Sequence, residues 1–211
     1  MKVLVESQYL PSVAYFVLLS YSEEVFIETH ENFEKQSYRN RCEIIGSNKI
    51  QSLSIPVHHG GRKVLIKNLT IDYKQKWANN HWRAIQSAYG KSPFFDYYAG
   101  YFEAEIKANC TTLYELNSRL LTLCLKLLKM KVKLNESAEY SKNPPEGIVD
   151  FRSAIHPKKS IDSLTWFEPK SYHQIFGKDF VPNMSILDLL FCTGPDALEV
   201  LHNSGVMIKN N

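Results

Sequence analysis

The first 27 residues constrain the fold of this chain more than any other stretch. Val3-Leu4-Val5 is a short β-prone run, and Gln8-Tyr9-Leu10-Pro11 breaks it. Val13 to Tyr21 is apolar enough for a buried helix, and Val25-Phe26-Ile27 reads as a second strand. Strand, loop, helix, strand opens a βαβ unit. Short strands that are apolar throughout belong inside a parallel sheet covered on both faces. Ligands of such sheets sit beyond the carboxyl ends of the strands, so Ser7 to Pro11 and Thr29 to Arg41 are expected on one rim.

The remaining pattern fills in an α/β chain. Gly46-Ser47-Asn48-Lys49 joins Cys42 to Ile45 and Gln51 to Val57 as a hairpin, with Pro56 confining the second arm to a sheet edge or strand end. His58 to Lys63 reads as a glycine-rich loop and Val64 to Tyr73 as one or two further strands. Residues from about 72 to 130 are helical in pattern. Trp77, His81, Ile85 and Ala88 form one stripe that Gly90 ends, Ser92-Pro93 caps a second helix, and Thr112 with Glu115 forms the capping box of a third, running to about Met130. Asn143 to Gly147 is linker-like and leads into an extended segment ending in His156-Pro157-Lys158-Lys159. Ser185 to Phe191 starts a helix that Gly194-Pro195 stops, and Ala197 to His202 forms the last turns. The expected fold is a single α/β domain over residues 1–211, with a central mixed sheet opening with the βαβ unit and additional helices from the middle and C-terminal parts packed beside it.

Composition narrows the function. With 25 Lys and Arg against 22 Asp and Glu, the formal charge of +3 is spread along the chain, so no basic stripe marks a nucleic-acid binder. Cys42, Cys110, Cys124 and Cys192 are far apart, without zinc-ligand spacing or a disulfide framework, which fits four free thiols in a reducing compartment. Met1 to Val5 reaches Glu6 after only three apolar residues, too few for a signal peptide. Leu120 to Met130 is interrupted by Thr122, Lys126 and Lys129, so no membrane span is expected. The expectations are a cytoplasmic chain with no cofactor and no metal. The adjacent His58 and His59 would face opposite ways on an extended backbone, and His81 on the Trp77 stripe fits a satisfied core position.

Ser37-Tyr38-Arg39-Asn40-Arg41 is the densest chemical segment. On an extended backbone Arg39 and Arg41 would share one face and Tyr38 and Asn40 the other, giving two guanidinium forks suited to a phosphate or carboxylate. The alternative is a strand rim whose arginines pair with Glu31, Glu34 and Glu43. As rim charges they would add little to folding. Tyr9 and Tyr15 flank the Pro11 turn at a helix start, where free backbone N–H groups favour an anion; equally, both rings can simply pack. His30 lies at the end of the second strand beside Glu28 and Glu31, within range of a general-base role.

Five segments in order, Tyr9-Leu10-Pro11 with Tyr15-Phe16, Ser37 to Arg41, Leu53 to Val57, Tyr89 to Phe95, and Ser185 to Phe191 with Gly194-Pro195, resemble the WbqC-like proteins over nearly the whole chain. The chain departs from that family's usual pattern at Glu6, Ser7, Ser12 and Ala14, at Thr29-His30, and at Cys192. The resemblance implies a bacterial protein of O-antigen-type surface polysaccharide biosynthesis, transferring an acyl or aminoacyl, glycine-like group to a sugar. The implied partner is a phosphorylated small molecule, a nucleotide sugar or an acyl donor. On that reading Arg39, Arg41 and Lys35 hold the donor phosphate, the Tyr9–Pro11 turn closes over it, and His30 or Glu6 takes the acceptor's proton. A non-catalytic binding or assembly module with the same pocket is the competing class.

Overall fold

The structure is a computed structural model that describes residues 1–47, 49–58 and 63–206. In chain order the opening unit is β1 (Lys2–Glu6), α1 (Val13–Ser20) and β2 (Glu24–Glu28). Short strands follow: β3 (Arg41–Ile45), β4 (Ile50–Ser54), β5 (Val57–His58) and β6 (Thr70–Ile71). The helical middle comprises α2 (Trp77–Tyr89), α3 (Phe95–Ile106) and α4 (Leu113–Leu127). Then come β7 (Lys133–Glu136), β8 (Ile148–Asp150), α5 (Ile186–Thr193) and α6 (Ala197–Asn203).

The central sheet has the order β7-β2-β1-β8, and every neighbouring pair is parallel, with Leu4 level with Phe26 on one side and Asp150 on the other. The antiparallel elements, β3 with β4 and β5 with β6, stand apart from it. The chain therefore moves outward from β1 through β2 to β7 and later returns to β1's other side with β8. That reversal makes the gap between β1 and β8 the topological switch point, the place where open parallel sheets leave a crevice at their carboxyl ends.

Packing explains the apolar patterns. α1 is hydrophobic around its whole circumference, Val13 to Leu19 are all buried, and the helix packs against α5 and α6. Tyr89, Phe95 and Phe102 converge on Phe191, with ring centroids 5.4, 5.1 and 5.6 Å away. On the sheet, Val3, Val5, Val25 and Ile27 are buried. Leu4 and Phe26 instead line a recess of about 390 Å³ closed by residues between β7 and β8, so a loop rather than a helix covers them.

Local signals hold at some ends and fail at others. Thr112 Oγ1 accepts from Glu115 N at 3.1 Å, while the Glu115 carboxylate reaches back to Thr111 N at 3.0 Å, one residue earlier than a standard capping box. Ser92 does not cap α3: its hydroxyl donates to Tyr89 O, and the helix starts only at Phe95. The expected strands over Val64 to Tyr73 reduce to β6 after a 3₁₀ turn at Ile66–Asn68. Asn48 in the hairpin turn and the loop residues His59, Gly60, Gly61 and Arg62 lie outside the described residues. Among the described residues no helix is long and apolar enough to cross a membrane.

Candidate functional site

β1 and β2 both end on a glutamate, and both carboxylates are buried at the switch-point end of the sheet. Glu6 Oε2 accepts from Ser153 N at 2.7 Å, which ties the end of β1 to the chain just beyond β8, and Oε1 accepts from Gln8 Nε2 at 2.7 Å. Glu28 accepts from Arg152 Nη1 at 2.9 Å, from Ser137 Oγ at 2.8 Å and from His30 N at 2.8 Å. Arg152 also grips Asp150 and donates to Lys142 O, with its guanidinium 5.2 Å from the Tyr140 ring centre.

A crevice of about 510 Å³ opens over this cluster, with His30, Glu31, Glu34, Arg39, Asp150 and Arg152 among its walls. Arg39 is the one member of the Ser37–Arg41 segment that reaches it. It lies side-on against Glu31, Nε to Oε1 and Nη2 to Oε2 both 2.7 Å, with Nη1 3.3 Å from Glu34 and Nη2 3.2 Å from Ser153 Oγ. Burial pushes the Glu31 carboxyl above its usual range; Arg39 pulls it back, and Glu6 and Glu28 add to the push. Burial works against the Arg39 charge as well, but its bonds to Glu31 and the fields of Glu6 and Glu34 hold the guanidinium protonated.

The expected rim charge is thus a buried ion pair, because the Arg39 side chain is only 3% exposed. Residues 35–40 turn rather than extend, which removes the alternation that would place Arg41 beside Arg39. Arg41 starts β3 opposite Ser54 and does not line the crevice, and Lys35 is exposed in the turn away from its walls. Tyr38 donates to Glu43 at 3.2 Å, and Asn40 Nδ2 to Ile55 O at 2.8 Å.

Tyr9, Pro11 and Tyr15 are enclosed. The Tyr9 hydroxyl lies 3.1 Å from His81 Nδ1. Tyr15 donates to Glu6 O at 3.0 Å. The start of α1 offers no open N–H groups to an anion, because Val13 N donates to Met184 O and Ala14 N to Asn183 Oδ1, both at 2.9 Å. Of the two proposed bases, Glu6 has both oxygens engaged by neighbours. His30 faces the crevice with Nδ1 3.0 Å from Thr29 Oγ1 and Nε2 against Lys67 Nζ. Among the described residues no three His, Cys, Asp or Glu side chains are grouped to hold a metal ion.

A model of the WbqC-like protein family matches residues 6–163 and 143–200. The chain belongs to the WbqC-like protein family. It is also similar to a protein of Mycobacterium tuberculosis named "Uncharacterized protein Rv1507c", 28% identical over 223 residues, which cover 94% of this chain and 96% of the relative. No solved structure matches it.

The WbqC-like segments meet in space, mostly through backbone bonds. Tyr9 N donates to Tyr38 O, Ile55 N to Asn40 O, Ile186 N to Pro11 O and Phe94 N to Phe191 O. Ser185 Oγ adds a bond to Leu10 O, holding Leu10 at a positive φ of 42°. These segments therefore lace the loops behind the sheet. The crevice itself draws on residues that sequence reasoning passed over, Tyr140, Lys142, Asp150, Arg152 and Ser153, and on Glu28, read only as a neighbour of His30, which holds Arg152. Glu28 had a usable signal, since it closes a short apolar strand as Glu6 does. Arg152 had none, because nothing local identifies β8 as the strand beside β1.

Proposed function

We propose that this WbqC-like protein is an enzyme of bacterial surface polysaccharide biosynthesis that transfers an acyl or aminoacyl, glycine-like group to a sugar, with the donor bound in the crevice at the β1–β8 switch point. The observation that carries this reading is the mixed-sign wall: Arg39 and Arg152 line the same space as Glu34 and Asp150. A wall of this kind favours a ligand with both charges, as in an aminoacyl donor whose ammonium meets a carboxylate and whose phosphate or carbonyl oxygen meets a guanidinium. In the transfer, the acceptor hydroxyl or amine attacks the donor carbonyl and gives its proton to His30 Nε2 as Lys67 Nζ moves off it. The donor's phosphate or thiolate leaves with the bonding pair. Glu31 and Glu28 fix the two guanidiniums, and Glu6 holds the Ser153 backbone that closes the crevice.

Thermal-shift titration with nucleotide sugars, coenzyme A thioesters and aminoacyl phosphates tests this. One donor class should raise the melting temperature, and Arg152→Gln should remove the shift. Product release on adding a sugar acceptor separates catalysis from binding. A melting shift without turnover supports the second reading, a binding module, which is favoured by the engagement of both candidate bases, His30 and Glu6, with neighbouring groups.

A further inference from the structure

A second cleft of about 200 Å³ lies at the carboxyl end of the sheet, on the α4 side, between β2, β7 and α4. Gln8 and Asn117 line it although they are only 2% and 1% exposed. The amide nitrogens of both are committed: Gln8 Nε2 to Glu6, and Asn117 Nδ2 to Ser7 Oγ at 3.1 Å and Arg39 O at 2.9 Å. Those bonds fix both side chains and leave their carbonyl oxygens over. Gln8 Oε1 and Asn117 Oδ1 are buried and have no partner among the described residues. Buried acceptors are nearly always paired, so two unpaired ones at one cleft point to a missing donor. Ile27, Leu121 and Leu134 form an apolar wall, and among the described residues no lysine or arginine lines the cleft.

We infer that this cleft binds a neutral, hydroxyl-bearing ring of monosaccharide size. Its hydroxyls donate to Gln8 and Asn117 and its C–H face lies on the leucine and isoleucine side chains. The absence of a lining cation disfavours a phosphate, and the volume is below the range of about 300–1,000 Å³ that accommodates drug-sized ligands. The inference does not depend on what fills the ionic crevice. If the transfer reading holds, this cleft is where the acceptor sits, since Gln8 and Asn117 bond directly to Glu6 and Arg39.

Saturation-transfer NMR on the full chain tests it, with methyl glucoside, methyl galactoside and N-acetylglucosamine as probes and ethanolamine as the competing amine. At least one sugar should show transfer to its ring protons. Gln8→Met should weaken it about tenfold or more by deleting one acceptor. Ser118→Trp, at a half-buried cleft position on α4, should abolish the signal while leaving the melting temperature near wild type, and it decides the matter if Gln8→Met fails to fold. No transfer from any of the three sugars, signal retained in Ser118→Trp, or tighter binding of ethanolamine than of any sugar would each overturn the inference.

Discussion

Arg39 is where stability and the candidate site depend on the same atoms. Its guanidinium is buried against Glu31, and removing one partner of such a pair leaves an uncompensated charge that typically costs about 3–5 kcal/mol. Arg39→Ala should therefore lower unfolding free energy by that order in urea titration. Arg41→Ala, at a half-buried position without an ion pair among the described residues, should change it by less than about 1 kcal/mol. Equal effects at the two positions would refute the assignment of Arg39 alone to the buried cluster. The pair reading was already available from the nearby Glu31 and Glu34. What the sequence withheld was burial, because a turn rather than a strand carries residues 35–40.

Among the elements, those whose stability is local were the legible ones. α1 could be read from seven consecutive apolar residues, α2 from its stripe and Gly90, and α4 from Thr112. β7 could not, and of β8 only the extended backbone could, not its place beside β1. Lys133-Leu134-Asn135-Glu136 has one strongly apolar residue, and it is held as a strand by Glu24, which accepts from Lys133 Nζ at 2.6 Å and Asn135 Nδ2 at 2.9 Å from 109 and 111 residues away. Pairing at that range leaves no periodic trace, so the pairing of the two outer strands and the Arg152 side of the crevice were hidden together. The Gly194 turn shows the opposite case, a stop signal with a firm steric cause. Its φ is +56°, and an added Cβ would lie 2.4 Å from the Phe94 ring. Gly194→Ala should cost about 2 kcal/mol or more, from left-handed strain plus overpacking, and the drop in melting temperature should show it.

For the molecule as a whole, the buried His81 should contribute an acid sensitivity that begins near pH 6.5. Burial lowers the His81 imidazole from its ordinary value near 6.5 to about 4, so the folded chain stays neutral there while the unfolded chain takes a proton. The stability held by neutral His81 is complete above about pH 6.5 and is lost progressively as pH falls toward 4. A displacement from 6.5 to about 4 corresponds to a loss on the order of 3 kcal/mol. A urea series at pH 7, 6 and 5 should show that decline, and His81→Gln should flatten it. The sheet order also sets a sequence in time. β1 has its partner β2 as soon as residue 28 is made, but its other side waits for β8, roughly 120 residues later. At a synthesis rate of ~5–20 residues per second that interval is on the order of ten seconds. Throughout it the growing chain presents an open strand edge at Lys2–Leu4 and a Glu28 carboxylate whose arginine has yet to be translated. Chaperone dependence of this protein would accordingly be greatest during its own synthesis, and least once residue 152 has left the ribosome.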